Sequence, residues 1–392
     1  MRVIGLMSGT SADGIDAALV EWPAGQAAHR FRLLAYREVP LPLDIRARVS
    51  ALAGGEVPAE STLKECLALD GLLGAQFADA AHGVAQEAGL ELADIDAIAS
   101  HGQTVAHHPE VSGSLQIGDP AVIAERTDRP VVADFRRGDL AAGGEGAPLA
   151  PFFHRVAFAD PEESRVILNL GGMANVTWLP KGADPETVLA FDVGPANSLV
   201  DGLVAELTSG AEHLDANGRR AARGRVDQRF LNALLDDPYF RRRPPKSTGR
   251  ERYGTRRVQE ILSLWSQQGT ASNDDLIATV VALTVESVAQ ACLELIPRFT
   301  QGSEAVERLI VGGGGVMNPV MMAGLERALP GVAVEAMDRH GVPAAAAEAM
   351  AFALMGRNAL LGEVNHLPQC TGAKGPRVLG VQIPRGLRPS PV

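Results

Sequence analysis

The sequence predicts an α/β protein built from two related lobes, and three observations carry that expectation. A strand, a small polar turn and a second strand open the chain at residues 3–22, and a similar unit begins at residue 165. Each unit opens a block of alternating strand-like and helix-like segments, the pattern of a mixed α/β fold. A glycine run, Gly312–Gly315, follows a short apolar strand and precedes a helix. The chain has 392 residues, 46% of them hydrophobic. At roughly 100–200 residues per domain, two or three domains with ample core are expected.

In the first block, Val3, Ile4 and Leu6 lead into Gly9-Thr10-Ser11-Ala12-Asp13-Gly14, and Ile15, Ala17, Leu19, Val20 and Trp22 lead out. Strands are expected over 2–7 and 15–22, with a third over 30–39 completing an antiparallel meander. A helix is expected over 61–88. Strands at 95–100, 115–117 and 131–135 are expected to stop before His101-Gly102-Gln103-Thr104, Gly118-Asp119-Pro120 and Arg136. In the second block the strand 165–170 meets Gly171-Gly172-Met173-Ala174-Asn175, and 176–179 starts the return strand. The strand 188–191 ends at Asp192, and 308–311 runs into the glycines. A last helix is expected over 343–361. Val3–Leu6 parallels Val166–Leu170, a weak internal repeat of one supersecondary unit.

The glycines of the first turn permit backbone angles and close approaches that larger residues forbid. The hydroxyls of Thr10 and Ser11, with exposed backbone N–H groups, suit phosphate oxygens. Asp13 and Asp16 suit a magnesium ion or its waters. The turn therefore reads either as a nucleotide-phosphate loop of a type other than the Walker loop, or as a polar hairpin turn.

A formal charge of −11 argues against nucleic acid or an anionic membrane surface as the main partner. Cys66, Cys292 and Cys370 lie far apart without metal-ligand spacing, so neither a disulfide framework nor a zinc site is expected. The apolar stretch 276–296 carries Glu286, Gln290 and Glu294 at spacing four, one polar stripe on an amphipathic helix and not a membrane span. The first residues lack the pattern of a signal peptide, and a cytoplasmic location is expected. The tail 376–392 is rich in proline and arginine.

Six segments together resemble one family over nearly the whole chain. They are Gly5-Leu6-Met7-Ser8-Gly9-Thr10-Ser11-Ala12-Asp13-Gly14, Ser100-His101-Gly102-Gln103-Thr104, Gln116-Ile117-Gly118-Asp119, Ala133-Asp134-Phe135-Arg136, Asn169-Leu170-Gly171-Gly172-Met173-Ala174-Asn175 and Gly312-Gly313-Gly314-Gly315. They are similar to the motifs of the anhydro-N-acetylmuramic acid kinases, within the superfamily of acetate and sugar kinases, Hsp70-type chaperones and actin. The resemblance implies a two-lobed, actin-like ATPase fold (a duplicated ribonuclease H-like arrangement) with a central nucleotide cleft. The expected lobes are residues 1–135, completed by 362–392, and residues 136–361. ATP and Mg²⁺ are the implied cofactors, and a homodimer is implied. The implied reaction belongs to cell-wall recycling: ATP and water open the 1,6-anhydro ring of 1,6-anhydro-N-acetylmuramic acid, and O6 is phosphorylated to give N-acetylmuramic acid 6-phosphate. Neither a nucleic acid nor a membrane partner is expected. One departure is visible: Asp192-Val193-Gly194-Pro195-Ala196-Asn197 stands where the family usually has Asp-Thr-Gly-Pro-Gly-Asn. The missing threonine hydroxyl removes one polar contact and leaves the acid in place.

That reaction needs a base for the water attacking the anomeric carbon, and a carboxylate suits the role, as in inverting sugar hydrolysis. Asp192 follows the apolar run 188–191 at a strand end, where α/β proteins place catalytic groups. The resemblance assigns the base to the same position; the plainer alternative is a helix cap. For the nucleotide, Gly9, Thr10, Ser11, Ala12, Asp13, Gly14, Ile15 and Asp16 are expected round the phosphates, with Asp13 the metal ligand. Gly171, Gly172 and Asn175 are expected to form the opposing hairpin. Gly312, Gly313, Gly314 and Gly315, with Asn318, are expected on the nucleoside side, although Asn318 before Pro319 reads equally as a helix cap. For the sugar, His101, Gln103 and Asp119 can hydrogen-bond hydroxyls or the acetamido group, with Asn197 and Glu348 beside them. Arg136 is expected to read the lactyl carboxylate bidentately, against an ion pair with Asp134, Asp139 or Glu145. The loop 241–251 concentrates positive charge, with Lys246 and Ser247 as its expected ligand contacts, against a solvated face. His107 and His108 read as a solvated loop. Two other readings stay open: a kinase of an ordinary hexose or amino sugar, and an ATP-driven binding module.

Overall fold

The computed structural model describes residues 1–25, 27–267, 272–300 and 304–385. The chain divides into two compact units, Met1–Ala157 with Ala345–Val392, and Phe158–Ala344. Its strands are, in chain order, β1 (Arg2–Ser8), β2 (Gly14–Glu21), β3 (Arg32–Pro40), β4 (Ala97–His108), β5 (Gly113–Ile117), β6 (Val131–Ala133), β7 (Arg165–Leu170), β8 (Met173–Leu179), β9 (Leu189–Pro195), β10 (Arg308–Gly312), β11 (Ala333–Ala336) and β12 (Val381–Ile383).

The first unit's sheet has the order β12-β6-β4-β1-β2-β3, with β5 paired to β4. Strands β1, β2 and β3 form an antiparallel meander, and β4 and β6 extend it in parallel from β1. The second sheet has the order β11-β10-β7-β8-β9. There β7, β8 and β9 form the meander, and β10 and β11 extend it in parallel from β7. The weak sequence repeat is thus a duplication of sheet topology.

Alternation along each strand builds the cores. Ile4 and Leu6, Ile15, Ala17 and Leu19, Ile98, and Val131 share one face of the first sheet with Leu69, Leu73, Phe77 and Val84 of the helix Ala59–Glu87. Burying each such large side chain stabilises the fold by roughly 1.5–3 kcal/mol. The helix Ala347–Leu361 packs on β1, β2 and β4. It lies so close that a Cβ on Gly5 would meet the Ala349 carbonyl oxygen at 1.8 Å, and one on Gly356 would meet the Ala99 methyl at 2.4 Å. This packing keeps the last helix with the first unit and moves the expected division from 361/362 to 344/345. At the other boundary, Phe135 packs against Phe352, so the chain stays in the first unit beyond residue 135.

In the second unit Val166, Leu168 and Leu170, Val176 and Trp178, and Phe191 and Val193 join one core with the helix Asn273–Gln290. The helical stretch Asn273–Phe299 is apolar and long enough to cross a membrane, but 78% of its apolar window is buried, as in a core helix. Glu286 and Glu294 stand exposed on its polar stripe. No disulfide joins the three cysteines.

Three expected strand ends are corrected. β4 continues through His101 to His108, because Gly102 adopts φ +76° and keeps the strand in the sheet. His107 and His108 therefore belong to the β4–β5 ribbon. β9 continues through Asp192 to Pro195, with a register shift between Ala174 and Asn175 on its partner β8. β6 stops at Ala133, and Phe135 opens a helix to Ala141.

Candidate active site

Asp192 lies on β9, the edge strand of the second sheet. Register places it opposite Asn175, which in turn lies opposite Asn169. The neighbouring positions Leu168, Val176 and Phe191 face the core, so this polar row occupies the other face of the sheet. The register shift between Ala174 and Asn175 sets a bulge beside this row, and bulges are common next to functional sites. The segment Lys246–Thr248 covers the free edge. The Asp192 N–H donates to the Lys246 carbonyl at 3.1 Å. The Ser247 hydroxyl and the Thr248 N–H both donate to Asp192 Oδ2 at 2.9 Å. Among the described residues nothing bonds Oδ1, so the carboxylate is gripped by one oxygen and free at the other. The Tyr239 hydroxyl donates to the Asp192 carbonyl at 2.9 Å. Burial pushes the Asp192 carboxyl above its ordinary value, against the two hydrogen bonds and the Lys246 charge. The helix Asn197–Leu207 is preceded by Ala196 without a side-chain cap, so Asp192 is not that cap.

The basic loop differs from its expected role. The Lys246 ammonium is buried, donating to the carbonyls of Tyr239 at 3.1 Å and Phe240 at 3.3 Å, and lies 4.5 Å from the Tyr239 ring centroid. Burial lowers its pKa to about 8. Buried and with two of its three N–H groups on carbonyls it anchors the loop, and Ser247 serves the Asp192 carboxylate. The roles of Ser247, Thr248 and Tyr239 toward Asp192 were not legible in the sequence. Only the Ser-Thr-Gly turn after two prolines hinted at a shaped segment.

The second unit also brings the glycine turns together. The carbonyls of Gly171 and Gly172 accept from the N–H groups of Ala196, Asn197 and Ser198 at 3.0–3.1 Å, satisfying the orphan donors of the following helix. Asn197 Nδ2 donates to the Leu170 carbonyl at 3.0 Å and so braces the hairpin. Gly313 adopts φ +80°, and a Cβ there would strike Asn169 Oδ1 at 2.4 Å. Gly315 likewise lies against Leu170, and Gly314 lies near Asn197 Nδ2. Asn318 is the helix cap: its Oδ1 accepts from the N–H groups of Val320 and Met321.

In the first unit the turn between β1 and β2 exposes Thr10, Ser11 and Asp13. Its left-handed position is Ala12, φ +51°, and not a glycine. Gly14 is needed for approach, since a Cβ would meet the Val39 carbonyl at 3.1 Å. Ile15 is buried in the core beneath. Ser11 Oγ donates to Asp13 Oδ1 at 2.8 Å, and Tyr36 Oη donates to Asp16 Oδ1 at 2.5 Å. Gln103 is buried. Its Nε2 donates to the Gly9 carbonyl at 3.0 Å, and its Oε1 accepts from Ser8 Oγ at 2.7 Å. Gln103 therefore ties β4 to the turn, with its Nε2 also donating to the Thr104 carbonyl at 3.2 Å. Asp119 caps the helix Pro120–Thr127, accepting from the Ala121 N–H at 2.7 Å.

His101 is also corrected as a direct sugar ligand. Its Nδ1 faces the Gly102 carbonyl at 2.9 Å, and its Nε2 accepts from Arg136 Nε at 3.0 Å. Arg136 is half-buried, and Asp134 pairs with Arg137 instead. The Glu348 side chain is solvent-accessible, yet the protein round it pushes its carboxyl up, Asp16 adding to the shift and Arg136 opposing it.

Two sheets of one topology in a single chain, each with a glycine-bearing turn after its first strand, define the duplicated ribonuclease H-like fold of the actin-like ATPases and sugar kinases. A family model described as anhydro-N-acetylmuramic acid kinase matches residues 1–385, and the chain belongs to that family. A protein of that name from Caldanaerobacter subterraneus subsp. tengcongensis is 40% identical over 386 residues, 96% of each chain. The one from Salinibacter ruber is 42% identical over 96% of this chain and 95% of its own. The one from Acidithiobacillus ferrooxidans is 44% identical over 98% of this chain and 92% of its own. The family makes this chain a kinase, with ATP as its phosphoryl donor.

Proposed function

We propose that the chain opens the 1,6-anhydro ring of 1,6-anhydro-N-acetylmuramic acid and phosphorylates O6, with Asp192 as the base. The observation that carries this is the carboxylate gripped through Oδ2 and unencumbered at Oδ1. Oδ1 takes a proton from water as the water oxygen bonds to the anomeric carbon. The bond from that carbon to the bridging oxygen breaks with inversion. The departing O6 takes the γ-phosphoryl group of ATP, so no general acid is required. The products are N-acetylmuramic acid 6-phosphate and ADP. Such a reaction suits the recycling of cell-wall sugars.

Phosphoryl transfer is largely positioning and charge neutralisation. Within the first unit the turn of Thr10, Ser11 and Asp13 offers hydroxyls and backbone to phosphate oxygens; within the second the turn Gly171–Gly172, with Gly313–Gly315 packed beside it, offers backbone. Arg136 takes the lactyl carboxylate. Asp13 and Asp16 fit Mg²⁺, because each has one oxygen bonded by a neighbouring hydroxyl and another to spare, and hard oxygens are what the ion takes. When bound, the ion neutralises phosphate charge. A cytoplasmic homodimer completes the proposal, on the strength of the family likeness.

The state of Asp192 makes a test. The base acts deprotonated, and burial raises its pKa, so kcat/KM falls as pH drops through that raised value. Ser247→Ala removes a hydrogen bond that favours the carboxylate and raises the pKa further. The acidic limb of the pH–rate profile should move to higher pH, with near-normal activity above it. A limb that stays in place contradicts the assignment of Asp192 as base.

A further inference from the structure

We infer that His101 is a positioning residue that holds Arg136 as a receptor for a carboxylate, and so sets the discrimination between a lactyl-bearing anhydro sugar and the same sugar without that group. The inference rests on the function proposed above and deepens it.

Among the described residues no carboxylate lies within ion-pair distance of Arg136. A half-buried guanidinium left so is costly unless a partner arrives from outside. The group is clamped on two sides. Nε donates to His101 Nε2 at 3.0 Å, and Nη1 donates to the Gly146 carbonyl at 2.8 Å. An acceptor at Nε2 requires the ring proton on Nδ1, which faces the Gly102 carbonyl at 2.9 Å. The ring is 3% exposed and lies 4.6 Å from the Phe352 ring centroid, so it cannot swing away. Burial, and then the charge of Arg136, pull its pKa well below the ordinary value and keep it an acceptor.

The second arm is built as firmly. The Gly146 N–H donates to Asp139 Oδ2 at 2.8 Å. Asp139 Oδ1 accepts from Thr371 Oγ1 at 2.7 Å and lies 2.9 Å from His366 Nδ1. His366 Nε2 accepts from the Arg377 N–H at 2.9 Å. With Nε and one Nη1 hydrogen fixed, the outer Nη1–Nη2 edge is left for a ligand, the geometry a carboxylate takes bidentately. Two carboxylates reach Arg136 by their fields, Glu348 first and then Asp139; the Asp139 oxygens are engaged by Gly146, Thr371 and His366, and Glu348 has its own pKa pushed up and competes weakly.

The test is calorimetric binding of 1,6-anhydro-N-acetylmuramic acid and of 1,6-anhydro-N-acetylglucosamine to the full chain. The wild type should prefer the acid. His101→Leu should weaken the acid by about 10–100-fold, the value of a charge-assisted hydrogen bond, and leave the neutral sugar unchanged. His101→Gln, which keeps an acceptor, should restore most of the loss. In an Arg136→Gln background His101→Leu should add nothing, because it acts through that guanidinium. Equal weakening of both sugars, an additive loss in the double variant, or no wild-type preference overturns the inference. If His101→Leu does not fold, His101→Asn replaces it in the cycle and is read the same way, its side chain being too short to reach Nε. Failure of the proposed function appears separately, as absence of phosphorylated product from the wild-type chain.

Discussion

Asp192→Asn is expected to lower turnover by about 10²–10⁴-fold, the range for loss of a general base, while ATP affinity stays at its wild-type value. Asparagine keeps the volume of the side chain. Its carbonyl oxygen can still accept from Ser247 and the Thr248 N–H, which now grip Oδ2. Only the capacity to take a proton is lost. No phosphate turn is touched, because the Gly171–Gly172 carbonyls are held by the N–H groups of Ala196–Ser198. Steady-state turnover and nucleotide titration of one preparation make the comparison. Turnover close to wild type would show that water is activated elsewhere.

Gly5→Ala is expected to destabilise the first unit by about 3 kcal/mol, at or beyond the upper end of ordinary overpacking. The added methyl would sit 1.8 Å from the Ala349 carbonyl oxygen and 2.7 Å from the Ala353 nitrogen. Both are backbone atoms of the helix Ala347–Leu361, so no rotamer change relieves the clash and helix or sheet must move. Gly71 is the control. It lies in the helix Ala59–Glu87 with open space round its Cβ position, so Gly71→Ala should be neutral or stabilising by up to about 1 kcal/mol. Denaturant melts of the two variants decide the matter; coincident curves contradict the packing described.

These cases mark what the sequence could and could not disclose. The meander β1–β3 and the hairpin β7–β8 were readable because alternation and polar turns are local signals. Gly5 stood in a recognisable motif, but its reason lies in a helix that begins at residue 347. Asp192 stands out in the sequence by its apolar approach, its place before the Gly-Pro turn and, above all, the family motif it matches; its role as base belongs to the proposal. Its holders do not stand out, because Ser247 and Thr248 are 55 and 56 positions away along the chain. A strand ending at Ser100, together with the family motif, makes His101 and Gln103 sugar ligands in the sequence. The positive φ of Gly102 carries β4 onward instead and commits both side chains to the protein. The glycine turns were legible as turns. That Asn197 braces one of them became visible only when β7 and the helix Asn197–Leu207 were brought together.

The most direct test of coupled hydrolysis and phosphorylation is mass spectrometry of the product formed from Mg-ATP and 1,6-anhydro-N-acetylmuramic acid in ¹⁸O-water, quenched before anomeric exchange. The account predicts a sugar 6-phosphate carrying one ¹⁸O at the anomeric carbon and none in the phosphate. A phosphorylated sugar with its anhydro bridge intact, or a label in the phosphate and not at the anomeric carbon, would contradict it.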